Sequence, residues 1–260
     1  MNRVAIITGA ARGIGADVVD ALVNEGYRVV AVDRCRDIPD VPYPLATPGE
    51  LDAVVAHHGD AVLGLVGDVR SATDMQLAVE TATRHFGRLD VVVACAGVVA
   101  GGGPLWEISD AAWDAVWSVN VLGTRRLIEA AAPTLIANGP AANGRIVAVA
   151  SAAGSMGLRH LAAYSAAKHA VVGLVRAVAM DLAQYGVTAN CVSPGSTRTA
   201  MLEASADVYG LASGEAFAHQ QPIGRLIEPH EVASTIAWLC SAAASAITGA
   251  DVAVDGGMTV

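Results

Sequence analysis

Residues Val4 to Gly15 read VAIITGAARGIG. The first five, Val4 to Thr8, are apolar and largely β-branched, the composition of a strand buried on both faces. They run into Gly9, Gly13 and Gly15, and a helical pattern follows from Ala16 to Glu25 and stops at Gly26. Strand, glycine turn and helix start form the geometry that sets a pyrophosphate against a helix N-terminus. The spacing is TGxxxGxG rather than GxGxxG, so the neighbouring elements have to support the reading. Arg28 to Val32 (RVVAV) is a second buried strand, ended by Asp33, which lies 18 residues after Gly15. That is close to the ~20 expected for a carboxylate that grips an adenosine ribose. A carboxylate there repels a 2′-phosphate and favours NAD over NADP. Arg12 and Arg34 complicate the choice, since either could pair with a phosphate.

The same alternation continues along the chain. Ala61 to Val66, Leu89 to Ala94, Arg145 to Ala150, Val187 to Val192 and Ala250 to Val254 read as further strands. Helical patterns cover Glu50 to His58, Ala72 to Phe86, Trp113 to Ala132, the stretch from Tyr164 to about Tyr185, and Pro229 to Ser241. Seven strands alternating with helices predict an α/β fold. It is a single Rossmann-type, doubly wound domain over residues 1–260, with a seven-stranded parallel sheet and helices on both faces. Between Asp33 and Asp68 the pattern breaks. Pro39, Pro42, Pro44 and Pro48 exclude helix and inner strand, so residues 35–49 form a long insertion beside the adenosine end of the cofactor site. His57 and His58 face solvent from the next helix, with no metal partner visible in the sequence. Residues 198–221 are irregular and mostly helical, at the position of a flap over the substrate.

Bulk properties exclude several functions. The chain has 260 residues, 53% hydrophobic and 16% charged, with a net charge of −9 and no block of Lys or Arg. Nucleic-acid binding by electrostatics is not expected. Cys35, Cys95, Cys191 and Cys240 match no metal spacing and read as reduced thiols. Met1 to Thr8 is too short for a signal peptide. The most apolar helix, Ala166 to Ala183, carries Lys168, Arg176 and Asp181 and does not read as membrane-spanning. A cytoplasmic protein is expected. The same helix is apolar on most faces, which suggests a subunit interface.

The chemistry is concentrated in Ser151 to Lys168, SAAGSMGLRHLAAYSAAK. Tyr164 and Lys168 stand one helical turn apart on one face. A free tyrosine has a pKa near ~10, and a neighbouring ammonium stabilises its phenolate. Ser151 lies at the end of a strand, where an open α/β sheet presents its active site. Cys95-Ala96-Gly97 ends another strand, and Asp68 ends a third, where its carboxylate could accept from an adenine amino group. Asn120 lies among Val116, Val119, Val121 and Leu122, so it reads as buried and in need of a partner.

These residues resemble the short-chain dehydrogenase/reductase family over essentially the whole chain. The matches are Thr8-Gly9 to Gly13-Ile14-Gly15, Asp68-Val69, Ala96-Gly97, Asn120, Ser151, Tyr164 with Lys168, and Pro194-Gly195 followed by Thr197. The resemblance implies hydride transfer between a secondary alcohol or ketone and the nicotinamide of NAD. It makes Tyr164 the acid/base, Lys168 the group that lowers its pKa and holds the nicotinamide ribose, and Ser151 the ligand of the substrate oxygen. Asn120 anchors a water in a proton relay. The expected cofactor contacts are Gly9, Arg12, Gly13, Ile14, Gly15, Asp33, Arg34, Cys35, Asp68, Val69, Ala96, Gly97, Tyr164, Lys168, Pro194, Gly195, Thr197 and Thr199. Ser151, Met156, Leu158, His160, Met201 and Leu202 are candidate substrate contacts. No metal is expected, and the family implies a homotetramer. One departure is visible: the family usually has asparagine where this chain has Ala94 and Cys95.

The VDRC and PYPLAT segments, GLRHLAAYSAAKHAVVGLVR and SPGSTRTAML look like the mycofactocin-associated subgroup of actinobacteria. In that subgroup the insertion accompanies NAD that does not readily exchange, and electrons leave through a peptide-derived redox carrier. Two other functions fit the same fold. A reductase of carrier-bound 3-oxoacyl groups would prefer NADPH and an acidic partner, against Asp33 and the net charge. A non-catalytic nucleotide sensor would not need the Ser–Tyr–Lys set.

Overall fold

The structure is a computed structural model and describes residues 2–260. Its seven strands are β1 (Val4–Thr8), β2 (Arg28–Asp33), β3 (Val62–Val66), β4 (Val91–Ala94), β5 (Arg145–Val149), β6 (Thr188–Pro194) and β7 (Asp251–Val254). They form one sheet in the order β3-β2-β1-β4-β5-β6-β7. Every pairing is parallel. β1, β4, β5 and β6 are buried along their whole length, which is why they read as unbroken apolar runs rather than alternating ones. The expected doubly wound sheet is therefore present.

The helices are α1 (Gly13–Asn24), α2 (Pro48–His58), α3 (Ala72–Phe86), α4 (Asp110–Trp117), α5 (Thr124–Ala137), α6 (Ala162–Leu182), α7 (Ala200–Val208) and α8 (Pro229–Cys240). α3, α5 and α6 cover one face of the sheet, where Ile6, Met75, Leu127 and Val175 share a core. α1, α2 and α8 cover the other, around Ile7, Leu22, Leu51 and Ile236. The strand order reverses direction at β1, between β2 and β4. Ligands of such sheets bind in the crevice at the carboxyl ends of the strands at that switch point.

Two elements depart from the sequence reading. The single helix expected from Trp113 to Ala132 starts earlier, ends later, and is interrupted by a π-helical turn, Ser118–Gly123. That turn carries Asn120 and re-aims its side chain; such turns concentrate at functional sites. α2 starts two residues before the expected Glu50. Thr47 closes a capping box with Glu50, and Pro48 occupies the first turn, where its missing N–H costs nothing. Among the described residues no helix is long and apolar enough to cross a membrane.

Candidate active site

A cavity of about 540 Å³ lies along the carboxyl ends of β1, β2, β4, β5 and β6. At its foot is the turn from Gly9 to Gly15. A methyl group on Gly15 would stand 1.9 Å from the Gly9 carbonyl oxygen, so only glycine fits there. No side chain caps α1, and its first turn holds no acidic residue. By contrast α2, α3, α4 and α7 are capped by Thr47, Ser71, Ser109 and Thr199. The first amides of α1 are thus left without partners at the cavity, together with the positive end of the helix dipole. Unpaired amides, a glycine cradle and a carboxylate at the next strand end fit the pyrophosphate and ribose of a dinucleotide.

The adenosine end contains Asp33. Its carboxylate accepts from the Ala11 amide at 3.1 Å and the Cys35 amide at 3.2 Å, and each oxygen keeps a lone pair. Both neighbouring arginines are occupied. Arg34 donates from Nε to Asp68 at 2.9 Å and from Nη1 to the carbonyls of Arg36 and Asp37. Arg12 donates to the Pro44 carbonyl at 2.6 Å and lies 3.8 Å from Glu50. Both guanidinium groups are thus partly engaged, Arg34 through Nε and Nη1 and Arg12 through Nη2, which disfavours a 2′-phosphate. Asp68 also differs from expectation. Burial raises its pKa, but hydrogen bonds from Arg70 and Arg34 outweigh this and hold it below the ordinary carboxylate value. With Arg34 and Arg70 both on its carboxylate, it has little acceptor capacity left for an adenine amino group.

The insertion is a strap, and it reaches further than the sequence suggests. Ile38, Tyr43, Leu45 and Ala46 line the cavity together with Arg34. Leu45 donates its amide to Asp37 at 2.7 Å, folding the strap on itself. The Tyr43 hydroxyl accepts from the Val99 amide at 3.2 Å, and its ring packs in the same apolar cluster as Tyr164, Leu158 and Met201. Burial pushes the Tyr43 phenol up to about 12, so it stays neutral. The strap is tied to the glycine turn through Arg12, to β3's exit through Arg34 and Asp68, and to the segment after β4 through Tyr43. It spans the cleft from adenosine end to catalytic end.

The catalytic end holds Ser151, Tyr164 and Lys168, all on the cavity wall. Ser151 follows β5, and its Oγ accepts from the Ala153 amide at 3.1 Å. Its own proton therefore remains available to donate. Tyr164 stands in the first turn of α6, and the Met201 thioether lies 4.0 Å from its hydroxyl. Lys168, one turn on, donates to the Val149 carbonyl at 2.8 Å, with its Nζ 5.6 Å from the Tyr164 ring centroid. Burial pushes Lys168 down to about 8. Burial also raises Tyr164, and the Ser151 hydroxyl only partly opposes it. The expectation that Lys168 lowers the tyrosine's pKa is therefore corrected for the free protein. Desolvation dominates, and Lys168 is turned to the Val149 carbonyl.

Asn120 has the partners its burial requires. Its amide donates to the Val98 carbonyl at 2.8 Å, its Oδ1 accepts from the Val98 amide at 3.0 Å, and its own carbonyl accepts from Thr124 at 2.8 Å. It does not line the cavity. It fixes the segment beside Gly97, where a methyl group would stand 2.9 Å from Asn120 Oδ1 and 3.6 Å from Lys168 Nζ.

Of the remaining expected residues, Arg12, Gly13, Ile14, Val69, Ala96, Pro194, Gly195, Thr197, Thr199, Leu158, Met201 and Leu202 line the cavity. Cys35, Met156 and His160 do not. Cys35 turns away with φ 53° and is buried against the α1–α2 side. Met156 and His160 lie outside the lining set, the latter with φ 62°. Residues absent from the sequence reading are the strap side chains, Val98, Leu161 and Met258. Ser205, Tyr209 and Phe217, also on the wall, belong to the segment 198–221 read as a flap over the substrate. Met258 gave no signal, because a chain terminus has no periodicity.

Comparison with known proteins places this geometry in context. The family model described as Enoyl-(Acyl carrier protein) reductase matches residues 9–259. An uncharacterised NAD-dependent oxidoreductase of Mycobacterium tuberculosis (strain CDC 1551 / Oshkosh) is 36% identical, over 98% of this chain and 95% of that protein. The cis-4-hydroxycyclohexanecarboxylate dehydrogenase of Sinomonas cyclohexanicum is 37% identical, over 99% and 97%. The crystal structure of carveol dehydrogenase from Mycobacterium avium in complex with NAD superposes with a TM-score of 0.93. It is 28% identical, over 98% of this chain and 97% of that one.

Proposed function

This chain belongs to the short-chain dehydrogenase/reductase family and is an NAD-dependent oxidoreductase of the alcohol dehydrogenase/ketoreductase kind, and on that premise we propose that it interconverts a neutral, apolar secondary alcohol and its ketone on NAD retained beneath the strap. The observation that carries this reading is one continuous cavity walled by Asp33, Ser151, Tyr164 and Lys168 and roofed by residues of the insertion.

In the oxidative direction the substrate oxygen accepts a hydrogen bond from Ser151 Oγ, whose lone pair is already held by Ala153. The Tyr164 phenolate takes the hydroxyl proton as the carbon–oxygen double bond forms. Bound NAD would supply the acceptor for the hydride that leaves the carbinol carbon. In reduction the Tyr164 phenol returns that proton to the carbonyl oxygen. Lys168 holds positive charge near the phenolate and keeps N–H groups free for a ribose hydroxyl. The side chain of Asn120 is committed to Val98 and its backbone carbonyl already accepts from Thr124, so a water relay there would use that carbonyl's second lone pair. Asp33, with Arg12 and Arg34 tied to the strap and to Asp68, supports NAD against NADP.

The substrate end supports the neutral, apolar class. Leu158, Leu161, Met201, Leu202 and Phe217 form its walls. Among the described residues that line this end, the cation other than Lys168 is Arg198, which is held by Glu215 and Glu228. The relatives include a carveol dehydrogenase and a hydroxycyclohexanecarboxylate dehydrogenase; the wall chemistry favours a substrate of the first kind. A carrier-bound 3-oxoacyl substrate and NADPH fit less well, given Asp33 at the strand end and the net charge of −9.

The strap's three ties support NAD that stays bound through turnover, with reducing equivalents leaving through a mycofactocin-type peptide carrier. A cytoplasmic homotetramer belongs to the same reading. Ala166, His169, Gly173, Arg176, Ala177 and Met180 form the uncovered face of α6, and the subunit contact is placed there. The test is to purify the protein without nucleotide, denature it, and weigh what is released. Stoichiometric NAD or NADH is expected, with activity on alcohols that needs an artificial electron acceptor. An empty protein that turns over free NAD refutes retention and leaves the alcohol chemistry standing.

A further inference from the structure

Two adjacent histidines at the end of α2 meet a carboxylate from α1. Consecutive side chains on a helix diverge by about 100°, so His57 and His58 would ordinarily point apart. Here the helix stops at His58, and Gly59 follows with φ 54°. The two imidazoles come together, with ring centroids 4.7 Å apart and planes at 78°. His58 Nε2 lies 2.6 Å from Asp20 Oδ1, and the His58 side chain is only 8% exposed. The donor atoms of Asp20, His57 and His58 all lie within 4.8 Å of one another. The sequence reading saw no partner for the histidines, because Asp20 is 38 residues upstream of His58.

We propose that Asp20, His57 and His58 form a divalent transition-metal site of the zinc class, which staples α2 to α1. Zinc binds imidazole nitrogen and carboxylate oxygen at about 2.0–2.2 Å in a tetrahedron. Ligand atoms on such an ion stand about 3.4 Å apart, between the 2.6 Å and 4.8 Å limits found here. Small side-chain rotations close the site, and water fills the fourth position. Two nitrogens and one carboxylate suit zinc, cobalt or nickel better than magnesium or calcium, which take oxygen donors. Asp17, one turn before Asp20 and near enough to feel its charge, adds negative potential on the same face. The staple has a mechanical role. Leu51 is the one fully buried residue of α2, and α2 directly follows the strap. A bond from its last turn to α1 anchors the helix at the end opposite its Thr47 cap.

The experiment uses full-length protein treated with a chelator and dialysed. Zinc is titrated by calorimetry, and cobalt is added separately to read its visible absorption. One zinc per chain is expected, with the spectrum of a four-coordinate cobalt ion bound by nitrogen and oxygen. With zinc a hundredfold above its dissociation constant the melting temperature should rise by about 5 °C. His57 has no part in the hydrogen bond between His58 and Asp20, so His57→Ala leaves that pair intact and removes a ligand. His57→Ala and Asp20→Asn should each weaken zinc at least ~10-fold. Absence of stoichiometric zinc, or zinc binding unchanged in both variants, overturns the proposal and leaves an ordinary helix-terminal ion pair.

Discussion

Lys168→Met is expected to make the free protein more stable while abolishing its turnover. Burial lowers the Lys168 pKa from 10.5 to about 8. At about 1.4 kcal/mol for each pH unit, holding the charged amine in the fold costs about 3 kcal/mol at neutral pH. Methionine removes that cost but orphans the Val149 carbonyl, which accepts from Nζ at 2.8 Å. An orphaned buried acceptor costs about 1–2 kcal/mol, leaving a net gain of about 1–2 kcal/mol. For a domain of this size that raises the melting temperature by about 3–6 °C. The sign with pH follows from linkage. Below about pH 8 the lysine is charged in both states, and the penalty is present in full. Between about 8 and 10.5 the unfolded chain binds more protons than the folded one, so the wild type gains stability as pH rises. The advantage of the variant should therefore shrink across that window. Differential scanning calorimetry of dinucleotide-stripped protein at neutral and alkaline pH reads both effects. A variant that melts below the wild type at neutral pH, or a difference that ignores pH, would show that burial of the ammonium is not the dominant cost.

Four further outcomes are expected. Tyr164→Phe should cut kcat by about 10²–10⁴-fold with dinucleotide content unchanged. In the wild type oxidation should accelerate and reduction slow as pH rises, because burial holds Tyr164 protonated; pre-steady-state hydride transfer in both directions measures this. Asp33→Asn should weaken NAD by about 10–100-fold, the worth of charge-assisted bonds to a ribose diol, while NADP is affected less; competitive rebinding to stripped protein measures the ratio. Tyr43→Phe removes only the bond to the Val99 amide. It should speed NAD dissociation about 5-fold, the equivalent of about 1 kcal/mol, with single-turnover hydride transfer unchanged.

The strands were legible because each is a short apolar run, most of them closed by glycine, aspartate or proline, and the central ones are buried on both faces. The Gly9–Gly15 cradle and the placement of Tyr164 and Lys168 were legible because spacing fixes them. What was not legible depends on where distant segments meet. Asn120 was marked as buried, but no residue pattern announces the π-helical turn that aims it at Val98. The proline-rich insertion was visible as an interruption. Its path was not, since a segment without periodicity gives no direction, and Tyr43 lands on Val99, 56 positions away. The direction of the Tyr164 shift was misjudged for a related reason. Sequence spacing reports the charge beside a group and is silent on how thoroughly water is excluded from it.

The strap has a consequence for the order of events in turnover. Tyr43 belongs both to the roof of the dinucleotide cleft and to the apolar cluster that surrounds Tyr164. Lifting the strap to release a nucleotide would therefore also take down part of the wall against which a substrate rests. The two sites are thereby coupled: a molecule seated at Tyr164 favours nucleotide binding, and by reciprocity a seated nucleotide favours substrate binding by the same factor. If NAD stays bound through turnover, as proposed, the protein would alternate between an oxidised and a reduced form of one complex, and its steady state would have the parallel-line pattern of a double-displacement enzyme, in which the first product leaves before the second reactant arrives.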